Sequence, residues 1–175
     1  MLKKIGLAVV CLIAAILILA AFKPSDFRVQ RTATIQAPAE KIFPLINDYR
    51  NWPQWSPWEK LDPNMKRTFS GPQSGTGSVY EWDGNSQAGK GRMEITESVP
   101  SSRVAIKLDF IKPMEANDAV QFNLQPFGNS TTVTWTMSGP MSYPAKVMTV
   151  FMNMDKMIGK DFEAGLANMK AAAEK

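Results

Sequence analysis

The C-terminal segment, residues 143–175, constrains the fold more than any other stretch of the chain. Its apolar residues recur at intervals of three or four, which places them on one stripe of an α-helix. The stripe consists of Val147, Phe151, Met154, Ile158, Phe162, Leu166 and Met169. Pro144 suits the first turn of that helix, because its missing N–H would have no intrahelical partner there. The spacing predicts one amphipathic helix of about eight turns, which needs a sheet to pack against.

The segment between Phe27 and Gly139 is expected to supply that sheet. Apolar and polar residues alternate from Phe27 to Ile35, the period of a strand, and Ala37-Pro38 then opens a short helix. Further short strands follow, separated by turn residues such as Asp83-Gly84. Strands at this spacing predict an antiparallel meander with one inward and one solvated face. The fold class is therefore α+β, with the strands preceding the long helix.

The N-terminal residues 5–22 form an uncharged run behind Lys3 and Lys4. As a helix the run would be about 27 Å long, close to the thickness of a bilayer's hydrocarbon core. A cleaved signal peptide and an uncleaved anchor are the two interpretations. The exit at residues 19–23 lacks the pair of small residues that cleavage requires, which favours the anchor.

The orientation follows from the charges at the two ends of that run. Lys3, Lys4 and the amino terminus favour a cytoplasmic tail, although Lys23 and Arg28 partly offset them. The tail is too short to hold a domain, so the folded part is expected on the extracytoplasmic side. We expect residues 1–26 to be a membrane anchor with a short linker and residues 27–175 to be a single domain.

Composition argues against several classes of function. The net charge is +4, of which Lys3 and Lys4 contribute two charges outside the domain, so no basic face for nucleic acid is indicated. Histidine is absent, and Cys11 lies within the apolar run. The domain therefore lacks a thiol nucleophile and the commonest metal ligand, and we predict no metal and no cofactor.

Two stretches resemble a known family. The opening FRVQRTATIQAPAEKIFPLINDYRNWPQWSPW and the closing MIGKDFEAGLANMKAAAEK are similar to the START-like helix-grip superfamily (SRPBCC), in its polyketide cyclase/dehydrase and lipid-transport branch. The resemblance implies a curved antiparallel sheet wrapped around the C-terminal helix, with a hydrophobic cavity between them. It implies binding of an apolar small molecule more than it implies catalysis, and no fixed catalytic motif transfers to this sequence.

Aromatic residues and methionines on the inward faces are the candidate ligand-binding residues. They would either fill the core or line a pocket, and the methionine-rich C-terminal region favours a soft, adaptable lining. The candidates are Trp55, Trp58, Phe69, Tyr80, Trp82, Met93, Phe110, Phe122, Trp135, Met148, Phe151 and Met152.

The tryptophans of residues 49–63 allow three interpretations. Trp52, Trp55 and Trp58 would plug the core, form a mobile lid over one end of the sheet, or form an exposed platform for lipid headgroups.

Charged residues on inward strand faces are the candidate polar anchors. Arg31 shares a face with Val29 and Ala33, and a buried arginine needs an acidic partner, for which Glu59 or Glu81 is expected. Such a pair would be structural or would bind a ligand's carboxylate or carbonyl. The remaining strand acids are assigned to outer faces or turns: Glu94, Glu97, Asp109, Glu115 and Asp118.

Three functions compete. The first is a membrane-tethered domain that binds a hydrophobic small molecule such as a lipid, a quinone or a polyketide-like aromatic. The second is an enzyme of cyclase or hydrolase type, with Tyr80 or an inward acid protonating the substrate. The third is a partner-binding module whose interior is filled. The partners expected are the small molecule and, through residues 5–22, the membrane, but not nucleic acid.

Overall fold

A seven-stranded antiparallel sheet forms the centre of the computed structural model, which describes residues 2–175. The strand order is β1-β7-β6-β5-β4-β3-β2, so β2 to β7 form a meander and β1 pairs with β7. The sequence prediction of an α+β fold with a curved antiparallel sheet is confirmed. The strands are β1 (Asp26–Ile35), β2 (Lys66–Ser70), β3 (Val79–Asp83), β4 (Lys90–Val99), β5 (Arg103–Lys112), β6 (Ala116–Phe127) and β7 (Ser130–Pro140).

Within residues 2–175, four helices and two 3₁₀ turns accompany the sheet. The helices are α1 (Leu2–Ala21), α2 (Ala39–Asn47), α3 (Tyr143–Phe151) and α4 (Met154–Ala173), and the turns span Tyr49–Gln54 and Pro57–Lys60. The core lies between the inner face of the sheet on one side and α4, α2 and the turns on the other. Phe162, Leu166 and Met169 of α4 are buried there, as the apolar stripe predicts.

The prediction of one uninterrupted helix over residues 143–175 is wrong. The backbone becomes extended at Met152, with φ −123° and ψ 140°. Asn153 is the N-cap of α4, and its side chain accepts a hydrogen bond from the Lys156 amide at 3.0 Å. An asparagine cap satisfies one of the free N–H groups of a first helical turn, so it stabilises a new start. Of these two helices, α4 packs on the sheet, whereas α3 packs against α1.

The N-terminal helix α1 is long and apolar enough to cross a membrane. Most of its side chains are exposed, and it meets the rest of the chain near its C-terminal end. There the Tyr143 hydroxyl donates a hydrogen bond to the Leu17 carbonyl at 2.7 Å, and Ala20 is buried.

Candidate functional site

The tryptophans of the 3₁₀ turns close one end of the space between the sheet and α4. Trp52 and Trp55 are buried, and their indole N–H groups donate to the carbonyls of Ile46 at 3.0 Å and Leu45 at 2.7 Å. A buried indole N–H usually finds such a partner, and these bonds fix both rings against α2. The interpretation of an exposed platform for lipid headgroups is therefore wrong.

Stacked rings occupy the interior beneath the second half of α4. Trp135 stacks on Phe162 with ring centroids 4.0 Å apart and on Phe122 at 4.9 Å, while Trp55 and Trp58 approach its edge. A Cβ at Gly165 would lie 2.8 Å from the Trp135 ring, so this glycine lets α4 approach the sheet closely. The protein's own side chains thus fill this part of the space in which the resemblance implies a cavity.

A buried polar group lies next to the filled region. Glu59 accepts hydrogen bonds from Arg67 Nε at 2.8 Å and from the Tyr80 hydroxyl at 2.7 Å. Burial raises the pKa of Tyr80, and the bond to Glu59 raises it further, so the hydroxyl stays protonated near neutral pH. Glu59 is fully engaged by these two partners. Its role in this structure is that of an internal ion pair.

Arg31 does not pair with Glu59 or Glu81, and that prediction is wrong. Its guanidinium instead donates to Asp155 at 2.9 Å and to Glu163 at 2.7 Å, both on α4, and it passes over Gly159. These hydrogen bonds raise the pKa of Arg31 and lower that of Asp155. The arginine links the edge strand β1 to α4, while Glu81 is exposed on β3.

The predicted aromatic residues of β2 to β5 lie on the same inner face, toward the β2 edge of the sheet. Phe69 is exposed at the edge and stacks on Tyr80 at 5.2 Å. Trp82 and Phe110 are half-buried and meet edge to face at 6.1 Å, and Met93 is buried on the strand between theirs. These rings continue the inner surface but leave it partly open.

Met148, Phe151 and Met152 lie away from the other predicted ligand-binding residues. Met148 and Phe151 belong to α3, Met152 follows it, and all are exposed. A groove of about 440 Å³ opens where α3 meets α4. Phe27 and Val29 of β1 form one wall, and Met152 and Met154 form another; Lys23 and Pro24, directly after α1, lie at its rim.

Asp118 is the site residue that the sequence prediction missed. It is only 6% exposed, because it shares the inner face of β6 with Val120 and Phe122. Its carboxylate lies directly over Gly139 of β7, which is the cross-strand partner of Phe27. Among the described residues, Oδ1 has no hydrogen-bond partner. Burial raises the pKa of Asp118 to about 6.

The alternation along β6 carried the signal for Asp118. Asp118 is two residues before the inward Val120, so the strand's period of two places it on the inner face. The preference of carboxylates for water instead favours the outer face. The assignment of Asp118 to an outer face or turn is wrong, because the strand's period determines the side on which it lies.

A comparison with known proteins shows which family has this fold. Residues 26–174 match the family described as "Polyketide cyclase / dehydrase and lipid transport". The chain belongs to that family. The resemblance noted in the sequence is thereby confirmed, and the protein is a helix-grip domain of a ligand-binding family. No curated protein matches the chain.

Solved structures share the fold of this polyketide cyclase/dehydrase family member at low identity. A protein from Chromobacterium violaceum is 14% identical with a TM-score of 0.60, covering 87% of this chain and 99% of that one. The Aha1 dimer from Colwellia psychrerythraea is 18% identical with a TM-score of 0.60, and the match covers 85% of this chain and 96% of the Aha1 chain. BexL, a di-domain ARO/CYC of the BE-7585A biosynthetic pathway, is 15% identical with a TM-score of 0.64. That match covers 90% of this chain and 53% of BexL. At these identities the likeness concerns the fold alone.

Within this family fold, the two ends of the sheet–helix interface differ. One end is sealed by Trp52, Trp55 and the Trp135 stack, whose rings are buried. The other end combines half-buried rings, the Asp118 carboxylate and the groove at the α3–α4 junction. The second end therefore combines partly open apolar surface with one buried carboxylate.

Proposed function

We propose that the protein is a membrane-tethered domain that binds a hydrophobic small molecule at the open end of the sheet–helix interface. The observation that carries the proposal is the groove at the α3–α4 junction, where Phe27, Val29 and Met152 supply apolar surface beside polar residues such as Arg28 and Asp155. Its rim lies directly after α1. Removing apolar ligand surface from water contributes roughly 25 cal/mol per Å², which favours binding there. The ligand class is a lipid, a quinone or a polyketide-like aromatic.

The groove continues toward the inner face of the sheet. Phe27 lines the groove, and Gly139 is the cross-strand partner of Phe27. The Asp118 carboxylate lies directly over Gly139. A rotation of the half-buried Phe27 ring would join the groove to the Asp118 region. The bound molecule would then place its apolar body in the groove and a hydroxyl or carbonyl near Asp118.

The tether would keep this site near the phase in which such ligands dissolve. Residues 1–26 serve as anchor and linker in this proposal, and residues 27–175 form the binding domain on the extracytoplasmic side. The linker after α1 is short, since β1 begins at Asp26, so the groove stays close to the bilayer surface.

Native mass spectrometry of the full-length protein, extracted with its surrounding lipid, tests the proposal. Met141 is half-buried and lines the groove, so Met141→Trp should fill part of it. Met114→Trp, at an exposed methionine outside the groove, is the matched control. We expect a bound apolar molecule in the wild type and in Met114→Trp, and its loss in Met141→Trp at an unchanged melting temperature. Binding that survives Met141→Trp would place the ligand elsewhere, and an empty wild type would contradict the proposal.

Asp118 favours a second candidate, an enzyme of cyclase type. A buried acid with a pKa of about 6 can donate and accept a proton near neutral pH, as a general acid requires. Tyr80 is a weaker choice, because its hydroxyl is held by Glu59 and its pKa is raised. Turnover of an aromatic polyketide that is abolished in Asp118→Asn but kept in Tyr80→Phe would support this candidate. Binding without turnover in the wild type would exclude it for that substrate.

A further inference from the structure

Helix α3 has an apolar surface that the sheet does not cover. Across its nine described residues, none is buried, and Tyr143, Met148 and Phe151 are exposed. The Phe151 side chain is 70% exposed, and Met152 and Met157 extend the apolar surface beyond the end of the helix. A contiguous apolar patch on a surface usually marks a site of contact with another apolar phase.

The position of α3 beside α1 identifies that phase. The Tyr143 hydroxyl bonds to the Leu17 carbonyl at 2.7 Å, and Ala20 of α1 is buried near this contact. Leu17 lies four residues before the end of α1 at Ala21, about 6 Å along the helix axis. The start of α3 therefore lies at the level of the last turn of α1, and a medium that surrounds that turn also reaches Tyr143.

We propose that α3 is an interfacial membrane helix that lies in the headgroup–acyl boundary beside α1. The inference rests on the proposed function in taking α1 as the membrane anchor. Tyr143 suits that boundary, because its ring is apolar and its hydroxyl is polar. Lys146 is the single charged residue of α3, and its long stem lets the ammonium reach the headgroups. Met148 and Phe151 then contact the acyl chains.

The inference has a consequence for the groove. Residues 149–151 at the C-terminal end of α3, and Met152 directly after it, form part of the groove wall. With α3 at the boundary, the groove opens at the depth of the acyl chains, and a lipid-soluble molecule reaches it without crossing water. The membrane helix and the binding site are thus linked by one short element.

Fluorescence quenching in vesicles tests the position of α3. Cys11 is the only cysteine of the chain and lies exposed on α1. An environment-sensitive NBD label is attached at three places: at Cys11 in the wild type, and at positions 151 and 127 in Cys11→Ser proteins carrying Phe151→Cys or Phe127→Cys. Phe127 is the matched control, because it is 83% exposed at the β6–β7 turn. That turn lies about 35 Å along the sheet from the start of β1.

The proteins are reconstituted in phosphatidylcholine–phosphatidylglycerol vesicles with and without lipid carrying a nitroxide in its acyl chain. We expect the label at position 151 to be quenched about threefold more than that at position 127, since interfacial helices insert by several ångströms. Equal quenching at the two positions, with strong quenching at Cys11, would overturn the inference and leave the anchor in place. A blue-shifted but unquenched label at position 151 would indicate a protein contact and also overturn it. Absence of quenching at Cys11 would overturn the anchor itself.

Discussion

The Asp118 carboxylate lies on the inner face of the sheet, and its pKa therefore differs between the folded and the unfolded chain. Its pKa rises from 3.8 in the unfolded chain to about 6 in the fold, because burial penalises the charged form. The folded state therefore binds more protons than the unfolded state between these values, and the free energy of unfolding falls as the pH rises through this interval. Nearly all of that loss should be present by pH 7.

We predict that Asp118→Asn removes this pH dependence. A shift of about two pKa units corresponds to about 3 kcal/mol, so the variant should be more stable than the wild type by about 2 to 3 kcal/mol at pH 7. Near pH 4 the difference should be small. Urea denaturation at pH 4, 5, 6 and 7 measures it, and Glu81→Gln, at an exposed carboxylate, should retain the wild-type profile. A wild-type stability that stays level across this range would contradict the assigned environment of Asp118.

The sequence predicts elements well where one periodic signal acts alone. Val104, Ile106 and Leu108 alternate with polar residues, and each is buried on β5 as predicted. The break between α3 and α4 is harder to predict, because the apolar spacing continues from Phe151 to Met154 without proline or glycine. Asn153 is a capping residue in that gap, but asparagine also occurs within helices, and the packing of α3 on α1 is a tertiary effect.

The filled interior could not be predicted for a related reason. Periodicity predicts that Trp135, Phe122 and Phe162 face inward, but not whether their rings touch or leave a space. The answer depends on how closely α4 approaches the sheet, and Gly165 sets that approach through contact with the Trp135 ring. A pattern of residues predicts a face, whereas ring-to-ring distances come only from the packed fold.

Gly165→Ala tests the packing of α4 on the sheet. The new Cβ would lie 2.8 Å from Trp135, whose ring is held between Phe162 and Phe122 and cannot move freely. Overpacking of this kind costs about 1 to 3 kcal/mol, against a gain of about 1 kcal/mol in helix propensity. We expect a net loss of up to about 2 kcal/mol in chemical denaturation. Ala167→Gly, on the exposed side of α4, should lose about 1 kcal/mol from propensity alone. A stabilised Gly165→Ala protein would mean that the interface has room to spare.

At the scale of the whole molecule, two sets of contacts are separate. The core joins the sheet to α4, α2 and the 3₁₀ turns, and α1 contributes only a peripheral contact through α3. Stability should therefore reside in the domain, and attachment to a bilayer in the pair of helices α1 and α3. This separation should let the proposed anchor and the proposed binding site be altered independently, apart from the groove that α3 shares with α4.

Deleting residues 2–21 tests the separation. We expect the truncated protein to melt within about 4 °C of the full-length protein in the same detergent, because the core residues remain and a loss of 1 kcal/mol shifts the melting temperature by only a few degrees. It should also self-associate or bind detergent, because the deletion uncovers the face of α3 that packs on α1 and leaves Met148 and Phe151 exposed. Light scattering measures the association, and the double substitution Met148→Ser and Phe151→Ser should restore a monomer. Unfolding of the truncated chain would show that α1 belongs to the core. A monomer that binds no detergent, without the substitutions, would show that the uncovered α3 does not act as an apolar contact surface.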